Sequence, residues 1–346
     1  MTSVAVTGVS SPVGRALLER LDADEAITRI IGVDIDEPQM PVAKLEFRPG
    51  DLRDRLLPLL IEGADVVVHA GLEATPARDE DTLFVRNVHG TRNVLAAASK
   101  VGARAFVHLS DGTAYGAHPD NAVPLAEEAP LRANPDYGPA YHALLAEELV
   151  AEFAQEQPNT RVAVVRPATV LGLDADSVFA QHLEGPRVIG IQGYEPPLQL
   201  VHVDDVAAAL HLAVVADLSG PYNAAADGWL SVEEACGVLG KRRFDVPETL
   251  AFAGVRELWG RGMWPAPPGM LHFLMHPHVL SASKLRAAGW APTRSNREVL
   301  REFAAEHAGW IRLGPLRLRR RTLYISGFAF AGATVGIILG GRSARR

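Results

Sequence analysis

A glycine turn close to the amino terminus has the residue types and spacing to bind a dinucleotide. The apolar run Val4–Val6 predicts a buried strand, Gly8 ends it, and apolar residues from Val13 onward recur at helical spacing. In such a strand–turn–helix unit the backbone can approach a pyrophosphate, and the start of the helix offers free N–H donors. The sequence therefore predicts a pyrophosphate-binding loop formed by Gly8, Ser10, Ser11, Pro12, Val13 and Gly14.

A carboxylate follows this loop at a distance that suits a ribose. Asp34 ends a second predicted strand, Arg29–Val33, about 20 residues beyond the glycine turn. An acid at that place accepts hydrogen bonds from the adenosine ribose and repels a 2′-phosphate, so we expect NAD rather than NADP. The alternative, in which Asp34 and Asp36 are ordinary loop acids, stays open.

Composition limits the class of protein. The chain has 346 residues, 48% hydrophobic and 22% charged, with a net charge of −7 and one cysteine, Cys236. The negative charge argues against a general nucleic-acid binder. A single cysteine excludes a disulfide framework and a thiolate metal cluster, and it suits a reducing cytoplasm. No signal peptide is expected, because the first residues lead directly into a strand.

The elements that must position these residues alternate along the first half of the chain. Short apolar strands and amphipathic helices alternate from Thr2 to about Pro167, as a doubly wound parallel sheet requires. The sequence thus predicts an α/β, Rossmann-type fold. The further strands are predicted at 45–47, 66–71, 105–109 and 161–165, and helices at 82–99 and 137–153.

Motifs along most of the chain carry a family resemblance. They are Thr7-Gly8-x-x-Ser11-x-x-Gly14, Gly50–Asp54, Asn87–Leu95, Arg166–Gly172, His202–Ala207, Pro221–Ala225 and Lys284–Pro292. Together they resemble the extended short-chain dehydrogenases/reductases of the NAD-dependent epimerase/dehydratase family, which contains the UDP-sugar 4-epimerases. The resemblance runs from Thr2 to about Trp310. Ser11 departs from it, since the family has a glycine there.

The resemblance implies a domain organisation and more of the cofactor site. Asp51 and Leu52 fall in the family's adenine-contacting loop, and Ala70 and Gly71 end a strand beside the cofactor. Relatives commonly pair through the helix that begins near Tyr137, so a homodimer is expected. The implied domains are an NAD-binding Rossmann domain, 1–171 with 201–224 returning to it, and a smaller C-terminal substrate lobe, 172–200 and 225–310.

The resemblance also implies a tyrosinate base, and Tyr137 is the candidate, with Tyr141 as second choice. A phenol is a poor base at neutral pH unless a nearby cation stabilises its anion, and the family uses a lysine four residues later. Here Tyr141 occupies that place. No lysine stands between Lys100 and Lys241, and the helix has no arginine. His142 is the nearest group that can carry a positive charge, but we favour its interpretation as a helix-surface histidine.

The hydroxyl donor of the family is altered as well. Counting back from Tyr115 places Asp111 where the catalytic Ser or Thr belongs, and a carboxylate at neutral pH accepts rather than donates. Ser110 or Thr113 is therefore the candidate donor. Asn87 is expected to belong to the supporting network.

The predicted substrate lobe is rich in Gly, Pro, Trp and His but contains few clear motifs. The candidate pocket residues there are Trp259, Trp264, His272, Phe273, His276 and His278. For any single one of them, packing in the core is the more frequent role. No spacing of the twelve histidines resembles a ligand set, so no metal is expected.

The carboxyl-terminal end predicts a membrane anchor. A basic linker, 311–322, precedes the uncharged stretch 323–340, which as a helix would extend about 27 Å. Gly332, Gly336 and Gly340 repeat at every fourth position, as in helices that pack closely in lipid. We therefore expect a C-terminal hydrophobic helix that anchors a cytoplasmic domain to the cytoplasmic membrane. A buried C-terminal helix or a re-entrant segment is the alternative.

Three functions follow from these observations. The first is an NAD-dependent epimerase/dehydratase-like oxidoreductase acting on a small molecule of the nucleotide-sugar type, with a degenerate Tyr-x-x-x-Lys site. The second is a non-catalytic, membrane-tethered NAD-binding regulator or scaffold, since the lysine is missing. The third is a dehydrogenase of sterol-like lipids, which the apolar segment Trp259–Leu274 favours.

Overall fold

The computed structural model describes residues 2–172, 177–314 and 316–319. The strands in this part of the chain are β1 (Thr2–Thr7), β2 (Ile27–Asp34), β3 (Leu45–Pro49), β4 (Val66–His69), β5 (Ala105–Leu109), β6 (Arg161–Pro167), β7 (Thr169–Leu171), β8 (Val188–Ile191), β9 (Leu200–His202), β10 (Gly220–Ala224), β11 (Arg243–Val246), β12 (Trp310–Leu313) and β13 (Leu316–Arg319). The α-helices are α1 (Pro12–Ala23), α2 (Leu57–Leu60), α3 (Glu80–Phe84), α4 (Gly90–Lys100), α5 (Gly138–Glu156), α6 (Val178–Glu184), α7 (Val203–Val215), α8 (Val232–Leu239), α9 (Glu248–Gly260), α10 (Ser283–Ala287) and α11 (Asn296–Glu306). A π-helical segment, Val85–His89, joins α3 to α4, and 3-10 helices occupy Gly112–Tyr115 and Pro268–Leu274.

The centre of the molecule is a seven-stranded parallel sheet in the order β10-β6-β5-β4-β1-β2-β3. Successive residues of a strand point to opposite faces, so Val4 and Val6 of β1 pack in one core and Ala5 in the other. Helices α1 and α7 cover the first face, and α2, α4 and α5 cover the second. The sheet is buried on both faces, which explains why its strands are apolar runs. The predicted Rossmann-type fold is confirmed.

The topology places a crevice at the carboxyl end of β1. This strand pairs with β2 on one side and with β4 on the other. The chain segment that follows β1 and the one that follows β4 therefore run away from each other. Ligands of open α/β sheets bind at such a switch point. The loop that begins at Gly8 and the loop that follows β4 at Ala70 meet here.

The residues outside the central sheet form smaller units. Strands β7 and β9 pair in parallel, as do β8 and β11. A cluster built around Leu171, Leu200 and Phe303 joins α6, α8 and α11.

The last described residues differ from the expected linker. Strands β12 and β13 pair as an antiparallel hairpin, so much of the segment 311–322, predicted as a basic linker, is a regular element held against α6. In the described ranges, no helix combines the length and the apolar character needed to cross a bilayer. The predicted transmembrane helix, 323–340, lies outside the described residues.

Candidate functional site

The loop after β1 allows a ligand to approach the backbone closely. Gly8 has a φ of +79°, and a Cβ built on it would lie 2.4 Å from the carbonyl oxygen of Ala70. A Cβ on Gly14 would lie 2.1 Å from the oxygen of Gly8. Neither position can accept a side chain, so the glycines are required by the fold of the loop. The shape fits the pyrophosphate of a dinucleotide at the start of α1.

Ser11 takes part in the structure of this loop. Its hydroxyl donates to the oxygen of Gly8 at 2.8 Å and accepts from the nitrogen of Gly14 at 3.0 Å. Ser11 is thereby the N-cap of α1, with Pro12 as the first helical residue. The hydroxyl closes the turn, which gives the serine a structural role where the family has glycine.

Asp34 is held at the rim of the loop by short hydrogen bonds. Its Oδ2 accepts from the backbone nitrogen of Ser10 at 3.0 Å and from the Ser10 hydroxyl at 2.6 Å. Its Oδ1 accepts from the nitrogen of Ile35 at 2.7 Å. The structure therefore fixes the carboxylate beside the glycine turn, where a ribose hydroxyl can donate to its remaining lone pairs.

The predicted cofactor residues enclose one cleft. Its wall is formed by Gly8, Ser11, Asp34, Ile35, Gly50, Asp51, Leu52, Ala70, Gly71, Leu72, Glu73 and Arg86. Hydrogen bonds from Arg53 lower the pKa of Asp51, so this carboxylate is ionised at neutral pH. Glu73 and Arg86 form an ion pair of 3.2 Å at the rim, and no motif indicated them. Ser10 and Gly14 each donate a hydrogen bond to a residue of the wall, Ser10 to Asp34 and Gly14 to Ser11.

The cleft continues toward the carboxyl end of β5. Ser11, Ala70, Leu72 and Glu73 line both parts. The second part is bounded further by Pro12, Val13, Ala74, Thr75, Leu109, Ser110, Asp111, Thr113, Tyr137, Pro167, Thr169, Val170, Ser177, Val178, Phe179 and His278. The structure thus brings the predicted cofactor residues and most of the predicted catalytic residues into one continuous cleft.

The surroundings of Tyr137 do not favour a tyrosinate. Its side chain is 2% exposed, and burial together with the Asp111 carboxylate raises its pKa far above the ordinary value. Tyr141, four residues later, is 39% exposed. No Lys or Arg is found among the described residues that line this part of the cleft. The assignment of Tyr137 as the base stays a prediction, and the charges found around it oppose that role.

Ser110 is not free to donate to a substrate. Its hydroxyl donates to Oε1 of Glu147 at 2.5 Å, and a hydroxyl has only one hydrogen to give. Ser110 as a donor stays a prediction, and this hydrogen bond opposes it. Thr113 lines the same cleft and its backbone nitrogen donates to Asp111 at 2.7 Å, which leaves its hydroxyl as the candidate.

No motif in the sequence indicated the partner of Ser110. Glu147 of α5 forms a buried ion pair with Arg166 of β6, whose Nη1 also donates to the hydroxyl of Tyr115 at 2.7 Å. The Tyr115 hydroxyl in turn donates to Oδ1 of Asn223 at 2.9 Å. This network lies beneath the cleft. The one signal for it was Arg166, a charged residue directly after the apolar run Val162–Val165.

Asn87 and His142 form a second support. The amide of Asn87 accepts from the nitrogen of Glu73 and donates to its oxygen, both at 2.9 Å, and so fastens the loop after β4. His142 is 2% exposed and packs edge-on against Phe84, with a ring-centroid distance of 5.3 Å. The interpretation as a helix-surface histidine is therefore wrong. Burial lowers the pKa of His142, so it does not supply the missing charge.

His278 belongs to the cleft. Its Nε2 donates to the oxygen of Gly112 at 2.7 Å, which fixes the tautomer and leaves Nδ1 as an acceptor. Burial lowers its pKa, so the ring is neutral at neutral pH. Phe273 packs edge-on against it at 5.2 Å. The other candidate pocket residues, Trp259, Trp264, His272 and His276, do not line the cleft.

A further pocket opens beside His278 and is mainly apolar. It shares Thr169, Phe179 and His278 with the cleft. The rest of its wall is formed by His182, Leu183, Val188, Ile189, Gly190, Pro196, Pro197, Leu198, Gln199, Val232, Ala235, Arg243, Phe273 and Leu274. Within the described residues, no group of three or more His, Cys, Asp or Glu could hold a metal ion.

The fold and the cleft define a dinucleotide-binding protein of the doubly wound α/β class. The model of the NAD dependent epimerase/dehydratase family matches residues 4–225, and the chain belongs to this family. The predicted family is thereby confirmed, and so is the predicted cofactor, NAD, at the level of the family.

Curated relatives and solved structures agree with this assignment. The uncharacterised protein Rv0501 of Mycobacterium tuberculosis is 30% identical over 253 residues, which are 70% of this chain and 67% of the relative. The uncharacterised protein y4nG of Sinorhizobium fredii is 28% identical over 313 residues, 86% of this chain and 76% of its own. The UDP-glucose 4-epimerase of Thermotoga maritima, solved with UDP-glucose, has a TM-score of 0.68 and 20% identity, covering 88% of this chain and 97% of that one. The last likeness shows the fold.

Proposed function

We propose that the protein is an NAD-dependent oxidoreductase that acts on a hydroxyl or keto group of a small molecule with an altered acid–base site. The observation that carries this proposal is the continuity of the cleft, from the glycine loop and Asp34 to Thr113 and His278. The residues of the first part fit NAD, because a glycine turn at the start of α1 can admit a pyrophosphate and the Asp34 carboxylate at its rim can accept from a ribose hydroxyl. Bound NAD supplies an acceptor for a hydride, so that oxidation of a secondary alcohol to a ketone releases one proton.

The proton is taken by His278 in this proposal. Its ring is neutral, its Nδ1 is an acceptor, and its Nε2 is bound to Gly112, the residue between Asp111 and Thr113. The Asp111 carboxylate stabilises the protonated ring, since a nearby negative charge favours a positive one. The Thr113 hydroxyl donates to the reacting oxygen. Tyr137 contributes its ring to the wall, as the environment keeps its phenol protonated.

Two substitutions distinguish His278 from Tyr137 as the base. His278→Gln keeps an amide N–H for Gly112 but has no base, so we expect kcat to fall about 100-fold or more. Tyr137→Phe should reduce kcat by less than about tenfold. The assay follows the ultraviolet absorbance of the reduced nicotinamide with a panel of UDP-sugars, dTDP-sugars and apolar secondary alcohols. The opposite ranking of the two variants would assign the base to Tyr137.

The role of Asp34 in binding the cofactor is tested by measuring NAD affinity alone. Asp34→Ala should weaken NAD by about 10-fold to 100-fold in calorimetry, because a hydrogen bond to a charged group is lost. Asp36→Ala, at an exposed position two residues later, is the control. If neither NAD nor NADH binds the parent protein, the proposed function is wrong.

A non-catalytic NAD-binding regulator is the second candidate function. It is favoured by the raised pKa of Tyr137 and by the lack of a cation among the described residues around it. In this case NAD binds, while no substrate of the panel is turned over by the parent, Tyr137→Phe or His278→Gln. A turnover that His278→Gln or Tyr137→Phe abolishes would exclude it. Attachment to a membrane and pairing of two copies stay predictions.

A further inference from the structure

The pocket beside His278 is placed to hold the body of a substrate. It is continuous with the cofactor cleft through Thr169, Phe179 and His278. Helix α6 and strand β8 form one wall, and α8 with the loop before β9 forms the other. A molecule whose hydroxyl or keto group reaches His278 must therefore place its remaining part in this pocket or in solvent.

Most side chains of this wall are hydrocarbon. Phe179, Leu183, Val188, Ile189, Leu198 and Val232 contribute them from different elements. Burying an apolar surface against such a wall is favourable by roughly 25 cal/mol per Å². The wall thus selects for apolar surface on the ligand.

The buried polar side chains of the wall are already satisfied by the protein. The amide of Gln199 accepts from the nitrogen of Leu280 at 2.7 Å and donates to its oxygen at 3.0 Å. His182 is partly buried and hydrogen-bonded to the backbone of Ile189, and desolvation lowers its pKa to about 4. A neutral ring and a saturated amide offer little to a polar ligand.

Arg243 is the one side chain with a full positive charge among the described residues that line the pocket. Its Nε lies 2.5 Å from Oδ1 of Asp245, and its Nη1 lies 3.5 Å from Oε1 of Glu195. Its Nη2 donates to the oxygen of Tyr194 at 2.6 Å. Two carboxylates thus lie within ion-pairing distance of one guanidinium. A nucleoside diphosphate, which is itself an anion, would compete with them for this cation.

We propose that this pocket binds a neutral, largely hydrocarbon substrate that carries a hydroxyl or keto group, and that it rejects nucleotide sugars. The inference rests on the proposed function, because it places the reacting group at His278. It departs from the nucleotide-sugar ligand of the Thermotoga maritima structure described above. The reason is the chemistry of the wall, where hydrocarbon is plentiful and the cation is already paired.

The test measures binding without the cofactor. Calorimetry with the full chain uses two probes, the neutral steroid ketone progesterone and UDP-glucose. We expect progesterone to bind with a Kd on the order of 10 μM and UDP-glucose to show no binding up to about 1 mM. If UDP-glucose binds and progesterone does not, or if neither binds, the inference is overturned. In both cases binding of NAD shows separately whether the proposed function survives.

A pair of variants tests whether progesterone binds in this pocket. Val232→Trp fills the pocket from the first turn of α8, and we expect progesterone affinity to fall at least tenfold. Glu233→Trp places the same ring on the exposed side of that helix and should leave the affinity unchanged. NAD affinity shows whether each variant is folded. Pro196→Trp fills the pocket from the loop before β9 and serves if Val232→Trp does not fold. Equal affinities in all variants would overturn the assignment.

Discussion

Glu147 and Arg166 form a buried ion pair in which Nη2 of the arginine lies 2.6 Å from Oε2 of the glutamate. Their side chains are 5% and 7% exposed. The same glutamate accepts the hydroxyl of Ser110, and the same arginine donates to that of Tyr115. The pair therefore fixes α5 to β6 and sets the orientation of two residues at the floor of the cleft.

We expect Glu147→Gln to lower the free energy of unfolding by about 3 kcal/mol. The substitution leaves the guanidinium of Arg166 buried beside a neutral amide, and an uncompensated buried charge is costly. Urea unfolding followed by circular dichroism measures the change. Glu148→Gln, at the exposed next position of α5, is the control and should change it by no more than about 0.5 kcal/mol. Equal losses in the two variants would contradict this account of the pair.

We expect Gly8→Ala to abolish detectable NAD binding, while Gly102→Ala leaves it intact. Both glycines have a positive φ, +79° and +69°, so both alanines are strained by about 1–2 kcal/mol. Only at Gly8 does the new Cβ also meet an atom, the oxygen of Ala70 at 2.4 Å. Around Gly102 nothing lies within 4 Å. Calorimetry with NAD compares the two, and normal binding by Gly8→Ala would show that the loop is not the cradle.

The sequence predicted the fold and the cofactor loop because their contacts are local. Ser11 and Gly14 are three residues apart in the bond that caps α1, and apolar periodicity defines the strand before it. The network below the cleft was not predictable in this way. Ser110 and Glu147 are 37 residues apart, and Tyr115 and Asn223 are 108 residues apart.

The exposure of a helical residue also depends on distant elements. Tyr141 and His142 are neighbours on α5, yet the first is 39% exposed and the second 2%. The difference arises because Phe84, at the end of α3, packs on the ring of His142. The periodicity of α5 alone did not show which of its sides α3 would cover.

We expect the stability to fall as the pH drops from about 6.5 toward about 4, in part because of His69. Its nitrogens are bonded to the hydroxyls of Thr7 and Thr91, and burial lowers its pKa from 6.5 to about 4. Between these pH values His69 is protonated in the unfolded chain but stays neutral in the folded protein. At about pH 5 this difference lowers the free energy of unfolding by on the order of 2 kcal/mol.

The contribution of His69 is isolated by comparing how steeply the free energy of unfolding depends on pH in the parent and in a variant. Urea unfolding of the parent and of His69→Gln at about pH 7.5 and about pH 5 gives the pH dependence of each. We expect the dependence to be smaller in the variant by on the order of 2 kcal/mol. His89→Gln, at an exposed position, should keep the slope of the parent. A variant at His69 with the slope of the parent would show that this ring does not resist protonation.

We expect Glu184→Gln to loosen the C-terminal hairpin while leaving the NAD site intact. Glu184 ends α6, is 3% exposed, and its carboxylate lies 2.9 Å from Nε of Arg312 and 2.7 Å from Nη2 of Arg317. His307 lies 3.2 Å away as well. Removing this charge takes the anionic partner from three basic side chains of the carboxyl-terminal segment, and breaking a buried pair is destabilising. Because Arg317 is 39% exposed, we expect the hairpin to open locally rather than the whole chain to unfold.

Limited digestion with trypsin measures this opening, since the enzyme cleaves after arginine and the rate follows the population of the open form. We expect cleavage after Arg317 or Arg319 to become about tenfold faster in Glu184→Gln, which corresponds to about 1.4 kcal/mol. Glu306→Gln, at an exposed position of α11, is the control and should be cleaved like the parent. Unchanged cleavage together with unchanged NAD affinity in Glu184→Gln would mean that strand pairing between β12 and β13, and not this carboxylate, holds the segment in place.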